Sequence, residues 1–376
     1  MEITRRSILA SGAALAAMPL AAKAPKARPG DGYDRMIVID GLGGIGNPGE
    51  DDNVTRINEA NWRAYRDTGV TAVRVTVMPV GNFTDAWQQY RDSIVFHDAI
   101  FGANPGRFRK VVTSADIVAA KTAGQVAIIL GTQDTSMVGP DLDRLATMKK
   151  DGILSVQLTY NNRNLSGDGA IEPANAGLSK LGRATIERIE AEKLLLDLSH
   201  GGARTMADAV AHAKRPLVIS HTGARALADH PRNTSDETMR AVANKGGVVG
   251  LYFMPYLTPK TFRDTSGEHL LMVADHMLKT LGEDHIAIGT DNGPLPTVIT
   301  PESKAALDKW QQTRIDQGIA APGESIGWYP WIEAYNSIDR YRRFANDLVK
   351  RGWTQTRVEK LMGGNFLRVY REAWGG

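Results

Sequence analysis

The chain has 376 residues, 42% hydrophobic and 23% charged, a globular balance that excludes disordered and collagen-like classes and suffices for one large domain or two modest ones. Its formal charge of +3 includes three positive and one negative residue among the first 24, so the remainder carries only about +1 and nucleic acid is excluded as a partner. It has no cysteine, which removes disulfides and thiolate metal sites.

Taken in chain order, Thr4-Arg5-Arg6-Ser7 precedes an apolar stretch to Leu20 and then Ala22-Lys23-Ala24, the small-x-small form of a signal-peptidase site. This order has the form of a twin-arginine export signal over residues 1–24, with a mature protein that is periplasmic or secreted. The apolar part is too short to span a bilayer, which takes about 20 helical residues. Short β-branched runs follow at 36–40, 71–77, 126–130, 153–157, 193–198, 216–220, 247–252 and 285–289. Helical patterns lie between them at 56–68, 141–150, 179–191, 203–213, 234–244 and 268–281. Alternation of this kind without a composition break predicts a (β/α)8 TIM barrel over residues 25–376 as a single domain, with a doubly wound sheet as the runner-up. Residues 292–330 read as a long ordered loop or lid, and helices at 331–350 and 354–373, the second capped by Thr354, close the chain.

Chemistry in a barrel sits where strands end and loops begin. Asp40 and a glycine run, Gln133 with Asp134, Thr159 to Asn164, His200, His221 and Asp291 fall at those places. The run Gly41-Leu42-Gly43-Gly44-Ile45-Gly46 satisfies the dinucleotide pattern G-x-G-x-x-G, but the acidic loop Asn47 to Asp52 follows instead of a helix, and the second predicted strand ends in Val77-Met78-Pro79 with no acid for a ribose. A nucleotide site is therefore not expected.

At Asp197-Leu198-Ser199-His200, Ser220-His221-Thr222-Gly223-Ala224-Arg225, Asp229-His230-Pro231-Arg232-Asn233 and Ile288-Gly289-Thr290-Asp291 the chain resembles the membrane (renal-type) dipeptidases, metal-dependent amidohydrolase barrels. Gly177-Leu178-Ser179 to Gly182-Arg183 and Gly363-Gly364-Asn365-Phe366-Leu367-Arg368 extend the likeness over residues 36 to 373. The resemblance implies a two-zinc site. It assigns His200 and His221 as metal ligands, Asp291 as the group handling the water proton, and Arg232 as the holder of the substrate carboxylate. Where the family reads Asp-Gly-His-Asn-Asp, this chain has Leu42 and Gly44 in place of the histidine and second aspartate; Gln133 replaces the bridging glutamate, and Tyr160 stands where many members have a substrate-facing histidine.

Leucine and glycine donate no lone pair, and a neutral glutamine offsets the repulsion of two dications poorly, so one zinc ion is expected and the second position is lost. His200 and His221 would hold it, with Gln133 or Asp134 as a third ligand and water as the fourth. The expected activity is hydrolysis of a dipeptide or similar small carboxylate-bearing amide. Two readings compete: a non-hydrolytic periplasmic binding protein, and a lyase or isomerase using His200, His221 and Asp291 without metal. Arg232 has an alternative as an ion-pair partner of Asp229 or Asp236, and Tyr160 as a packing residue against Asn162. His97, His212, His230, His269, His276 and His285 are read as surface or packing residues; Trp328, Trp331 and Trp353 are read as packing the C-terminal helices, with Trp328 and Tyr329 as an alternative pocket wall. A homodimer is left open.

Overall fold

Parallel strands covered on both faces read as unbroken apolar runs, and Val126–Thr132, buried at every residue, is the clearest instance. The computed structural model describes residues 32–376 apart from 49, 51, 52, 79, 82 and 259–263, so the export signal read at 1–24 lies outside the described residues. The strands are β1 (Ile39–Gly43), β2 (Ala72–Thr76), β3 (Phe108–Lys110), β4 (Val126–Thr132), β5 (Ile153–Gln157), β6 (Leu195–Asp197), β7 (Val218–Thr222), β8 (Val248–Leu251) and β9 (Ile286–Ile288). Eight of them follow one another around a nearly closed parallel barrel in the order β1-β2-β4-β5-β6-β7-β8-β9, while β3 pairs only with β4. Helices alternate with the strands, which is the expected (β/α)8 architecture and not the doubly wound one. No helix among the described residues is long and apolar enough to cross a membrane.

A backbone hydrogen bond and a set of side-chain contacts fasten the seam between β9 and β1. The Asp291 N–H donates to the Leu42 carbonyl at 2.8 Å. The Asp40 carboxylate accepts the Thr290 N–H at 2.7 Å, the Thr290 hydroxyl at 2.6 Å and the Tyr341 hydroxyl at 2.7 Å. At one end the barrel is filled by Ile39, Ala72, Ala127, Ile129, Leu195, Val218, Val248 and Ala287, and the helix Asn365–Trp374 plugs it with Phe366, Tyr370 and Trp374. The preceding Gly363 is required, because a Cβ there would strike the carbonyl of Ile37.

The structure corrects four sequence expectations. The first strand lies three residues later than 36–40, so Gly41 and Gly43 are part of it; a Cβ at Gly41 would enter the Phe366 ring. β3 and its neighbouring helices Ala86–Ala103 and Ala115–Ala123 were not expected: three residues are too few for a strand signal, and the apolar residues of both helices are spread around their circumference. Within the lid segment 292–330 there is a helix, Pro301–Asp316, closed by a reciprocal cap between Thr300 and Ser303. The helix expected at 331–350 begins only at Arg340, because a short turn at Glu333–Tyr335 precedes it. Thr354 does cap the next helix, accepting from the Arg357 N–H at 3.3 Å.

Candidate metal and substrate site

At the core of the barrel, below the site, is an ion pair. Arg74, 1% exposed, donates to Asp197 at 2.9 Å and to the Thr132 carbonyl at 2.6 Å. The same carboxylate accepts the Ser220 hydroxyl at 2.6 Å and the Ser220 N–H at 2.9 Å. Room for this layer comes from Gly250 and Gly289, where a Cβ would collide with the Ser220 carbonyl.

That layer determines the protonation of His221. The Ser220 hydroxyl gives its one proton to Asp197, so across the 2.8 Å contact to His221 it must accept, and the imidazole carries its proton on Nδ1. The Nε2 lone pair of His221 is left bare, buried and without a hydrogen-bond partner. His200 is oriented similarly: its Nδ1–H is held by the Asn161 side-chain oxygen at 2.7 Å, and its Nε2 accepts from Arg232 at 2.9 Å. The two imidazole rings lie 4.9 Å apart between centroids, and Tyr160 stacks on His200 at 4.1 Å.

Asp291 completes the group. Donor atoms of His200, His221 and Asp291 all lie within 4.8 Å of one another, which brings together the three residues that the sequence singled out on separate strands. Two neutral imidazoles and a carboxylate, with a bare buried lone pair among them, suit a divalent metal with an open fourth position. Both His200 (φ 62°) and Asp291 (φ 60°) adopt the left-handed backbone conformation, at a cost of roughly 1 kcal/mol each, as is common where strands end in functional loops. Burial, followed by the nearby guanidinium of Arg232, holds both imidazoles neutral well below their usual range. Burial also pushes the Asp291 carboxyl up to about 7, against the pull of Arg232 and Arg314.

The remaining sequence candidates are placed as follows. Arg232 is buried and ion-pairs with neither suggested partner, since Asp229 is taken by Arg225 at 3.1 Å and Asp236 by His276 at 2.8 Å. Gln133, at the end of β4, donates its amide to the Thr76 hydroxyl at 2.8 Å. Asp134 stands apart from the histidine pair, accepting from the Ser136 N–H at 2.9 Å and the Ser136 hydroxyl at 2.7 Å. Leu42 is buried in the seam. His230 packs flat on Tyr256 and donates to the Pro322 carbonyl at 2.9 Å, His97 is buried against the Ser93 carbonyl, and His285 anchors the start of β9 through Gly247. Trp353 donates to Asp275, whereas Trp328, itself in the lid segment, stacks on Tyr256.

The sequence profile of the membrane dipeptidases (peptidase family M19) matches residues 53–301. The chain belongs to the membrane dipeptidase family. Within that family it is 26% identical over 259 residues to a dipeptidase of Claviceps purpurea, an alignment covering 68% of this chain but only 53% of the fungal protein. It is 28% identical over 302 residues to an uncharacterized protein from the pqqA 5' region of Klebsiella pneumoniae, covering 77% and 96% of the two chains. Among solved structures, an amidohydrolase from Pseudomonas aeruginosa superposes with a TM-score of 0.78 at 28% identity, over 92% of this chain and 98% of that one. A metallopeptidase from Rhodobacter sphaeroides, liganded with a phosphinate mimic of the dipeptide L-Ala-D-Ala, shares the fold at a TM-score of 0.68 and 18% identity, over 90% and 99%.

Sequence reasoning missed the contribution of the lid to this dipeptidase-family site. Arg314, on the lid helix, donates to the Tyr160 hydroxyl at 3.0 Å and pairs with Glu324 at 2.9 Å, while Tyr256 donates to the same glutamate at 2.6 Å. Asn161 ties the lid to the metal group, since its amide donates to the Ile319 carbonyl at 2.7 Å while its oxygen orients His200. The run Thr300-Pro301-Glu302-Ser303 carried a helix-start signal that would have revealed the lid helix.

Proposed function

We propose that this chain is a hydrolase of dipeptides or similar small carboxylate-bearing amides, working with a single zinc ion. The observation that carries this reading is the bare Nε2 of His221 facing His200 and Asp291 beside the buried guanidinium of Arg232, which has no carboxylate within ion-pair reach among the described residues. His200 and His221 would hold the ion, with Gln133 as the sequence's candidate for a further oxygen ligand. Bound there, zinc would polarise the scissile carbonyl and lower the pKa of a water molecule toward 7. Asp291, with its raised pKa, accepts the proton of the attacking water and returns it to the departing amine. Arg232 pairs with the substrate carboxylate and fixes the amide over the metal group. Tyr160 lines the same space by stacking on His200. The bound dipeptide mimic in the Rhodobacter sphaeroides relative supports the substrate class. The export signal read at residues 1–24 supports a periplasmic or secreted location for the activity.

The test is metal analysis of protein purified without chelator, beside a dipeptide hydrolysis panel and a His221→Ala control. Stoichiometric zinc with cleavage abolished by His221→Ala is the expected result; metal-free protein inert toward every dipeptide overturns the reading. The second reading, a non-hydrolytic binding protein, is favoured by one observation, the Arg232 hydrogen bond that occupies His200 Nε2. It expects dipeptide binding without turnover and without metal.

A further inference from the structure

Next to the metal group lies a small pocket of about 10 Å³, room for one water-sized group, open to solvent at its mouth and lined by Gly81, Asp134, Tyr160, Asn162, Asn164 and Ile319. Tyr160 is its shared wall with the metal group, because the ring that lines this cavity also stacks on His200. Asp134 is 3% exposed and has no cationic partner within ion-pair distance among the described residues. One of its oxygens is committed to Ser136, and the other accepts only a long 3.3 Å hydrogen bond from the Gly81 N–H. A buried carboxylate of this kind is expensive unless a cation completes it.

The other lining groups narrow the chemistry of that cation. Asn164 is fully committed, its oxygen to the Ser166 and Gly167 N–H groups and its amide to the Leu158 carbonyl. The half-buried Asn162 side chain makes no hydrogen bond among the described residues and can offer its oxygen. Arg314, the nearest guanidinium to Tyr160, is neutralised by Glu324. Among the described residues Asp134 belongs to no group of three or more histidines and carboxylates, so a divalent ion would have few ligands there. A primary ammonium, with three donors and one charge, matches a carboxylate oxygen plus a neutral amide oxygen.

We propose that Asp134 and Asn162 form an ammonium subsite that takes a positively charged amino group of the substrate, either its free α-amine or a basic side chain. This rests on the dipeptide-hydrolase reading for the substrate, while the subsite itself can be tested without turnover. Binding of n-butylammonium, with butan-1-ol as the uncharged control, is followed by calorimetry on full-length wild-type, Asp134→Asn and Asn162→Leu proteins. The asparagine keeps an acceptor for Ser136, and the leucine removes the amide oxygen while leaving Asp134 unchanged, so a folding defect in one variant does not remove the test. The expected result is binding of the ammonium but not the alcohol, weakened about tenfold or more in both variants. In parallel, kcat/KM is compared for Ala-Ala, N-acetyl-Ala-Ala, Lys-Ala and norleucyl-Ala. Loss in Asp134→Asn of the preference for Ala-Ala over its acetylated form identifies the α-amine, and loss of the preference for Lys-Ala over norleucyl-Ala identifies the side chain. Ammonium binding that depends on Asp134, with no dipeptide cleaved, upholds the subsite and rejects the hydrolase reading. Equal affinity for ammonium and alcohol, or variants that bind butylammonium as wild type does, overturns the subsite.

Discussion

Nη2 of Arg232 lies 2.9 Å from Nε2 of His200, so the residue assigned to a substrate carboxylate is hydrogen-bonded to the lone pair assigned to a metal. Both assignments hold together only if the guanidinium leaves the imidazole when metal and substrate arrive. Arg232→Gln removes the competing donor and a positive charge that repels a dication. It is expected to tighten zinc binding about tenfold while lowering kcat/KM for dipeptides about a hundredfold. Chelator-competition titration read beside steady-state kinetics checks this; a variant that binds zinc no better than wild type shows that Arg232 does not compete.

The Asp197–Ser220–His221 chain predicts an effect at a distance from the metal. Ser220→Ala removes the acceptor that keeps the proton on Nδ1 of His221 and leaves Asp197 short of one donor. Zinc affinity should fall about 10–100-fold, with a stability loss of about 1–3 kcal/mol. Denaturant melts and zinc titration of the variant separate the two effects, and unchanged zinc affinity would contradict the tautomer argument.

Asp40 gives a pH signature. Burial raises its carboxyl to about 6, against the hydrogen bonds from Thr290 and Tyr341, whereas the unfolded chain releases this proton near 3.8. The folded state therefore holds the extra proton between those values. The stability that this contributes is complete below pH 4 and is lost as pH rises through 6, for about 3 kcal/mol over the window. The buried histidines titrate in the opposite sense, so the comparison is with Asp40→Asn, which cancels them. The wild-type advantage over the variant should shrink between pH 4 and pH 7, and a pH-independent difference would exclude Asp40 as the titrating group.

The lid is held by a cation that needs its anion. Arg314 and Glu324 have side chains 9% and 3% exposed, so Glu324→Gln leaves a buried guanidinium without its counter-charge, at a cost of about 3 kcal/mol. Hydrogen exchange over residues 314–328 should accelerate and KM should rise more than kcat falls. Exchange at the wild-type rate would mean that Asn161 and His230 hold the lid without this pair.

Much of this site was legible in the chain because local signals mark it. His200, His221 and Asp291 each end a run whose apolar continuity is the mark of a strand buried on both faces, and barrel geometry directs such ends to one face. Arg314 and Asn161 were not legible, because their roles come from contacts across 154 and 158 residues of chain, with Tyr160 and Ile319, that no local pattern encodes. That Leu42 and Gly44 cannot be ligands was plain from residue type, since neither carries a donor atom; that the family holds metal at those positions is what the resemblance implies.

Residue order carried the alternation of strands and helices through short-range periodicity, and through the family resemblance it singled out His200, His221 and Asp291, which the fold brings together. Only the folded barrel decided that Nε2 of His221 is bare while that of His200 is taken by Arg232, and that Asp134 lines a pocket beside Tyr160. Those are properties of hydrogen-bond geometry and exclusion from water, which exist only once distant segments are packed together.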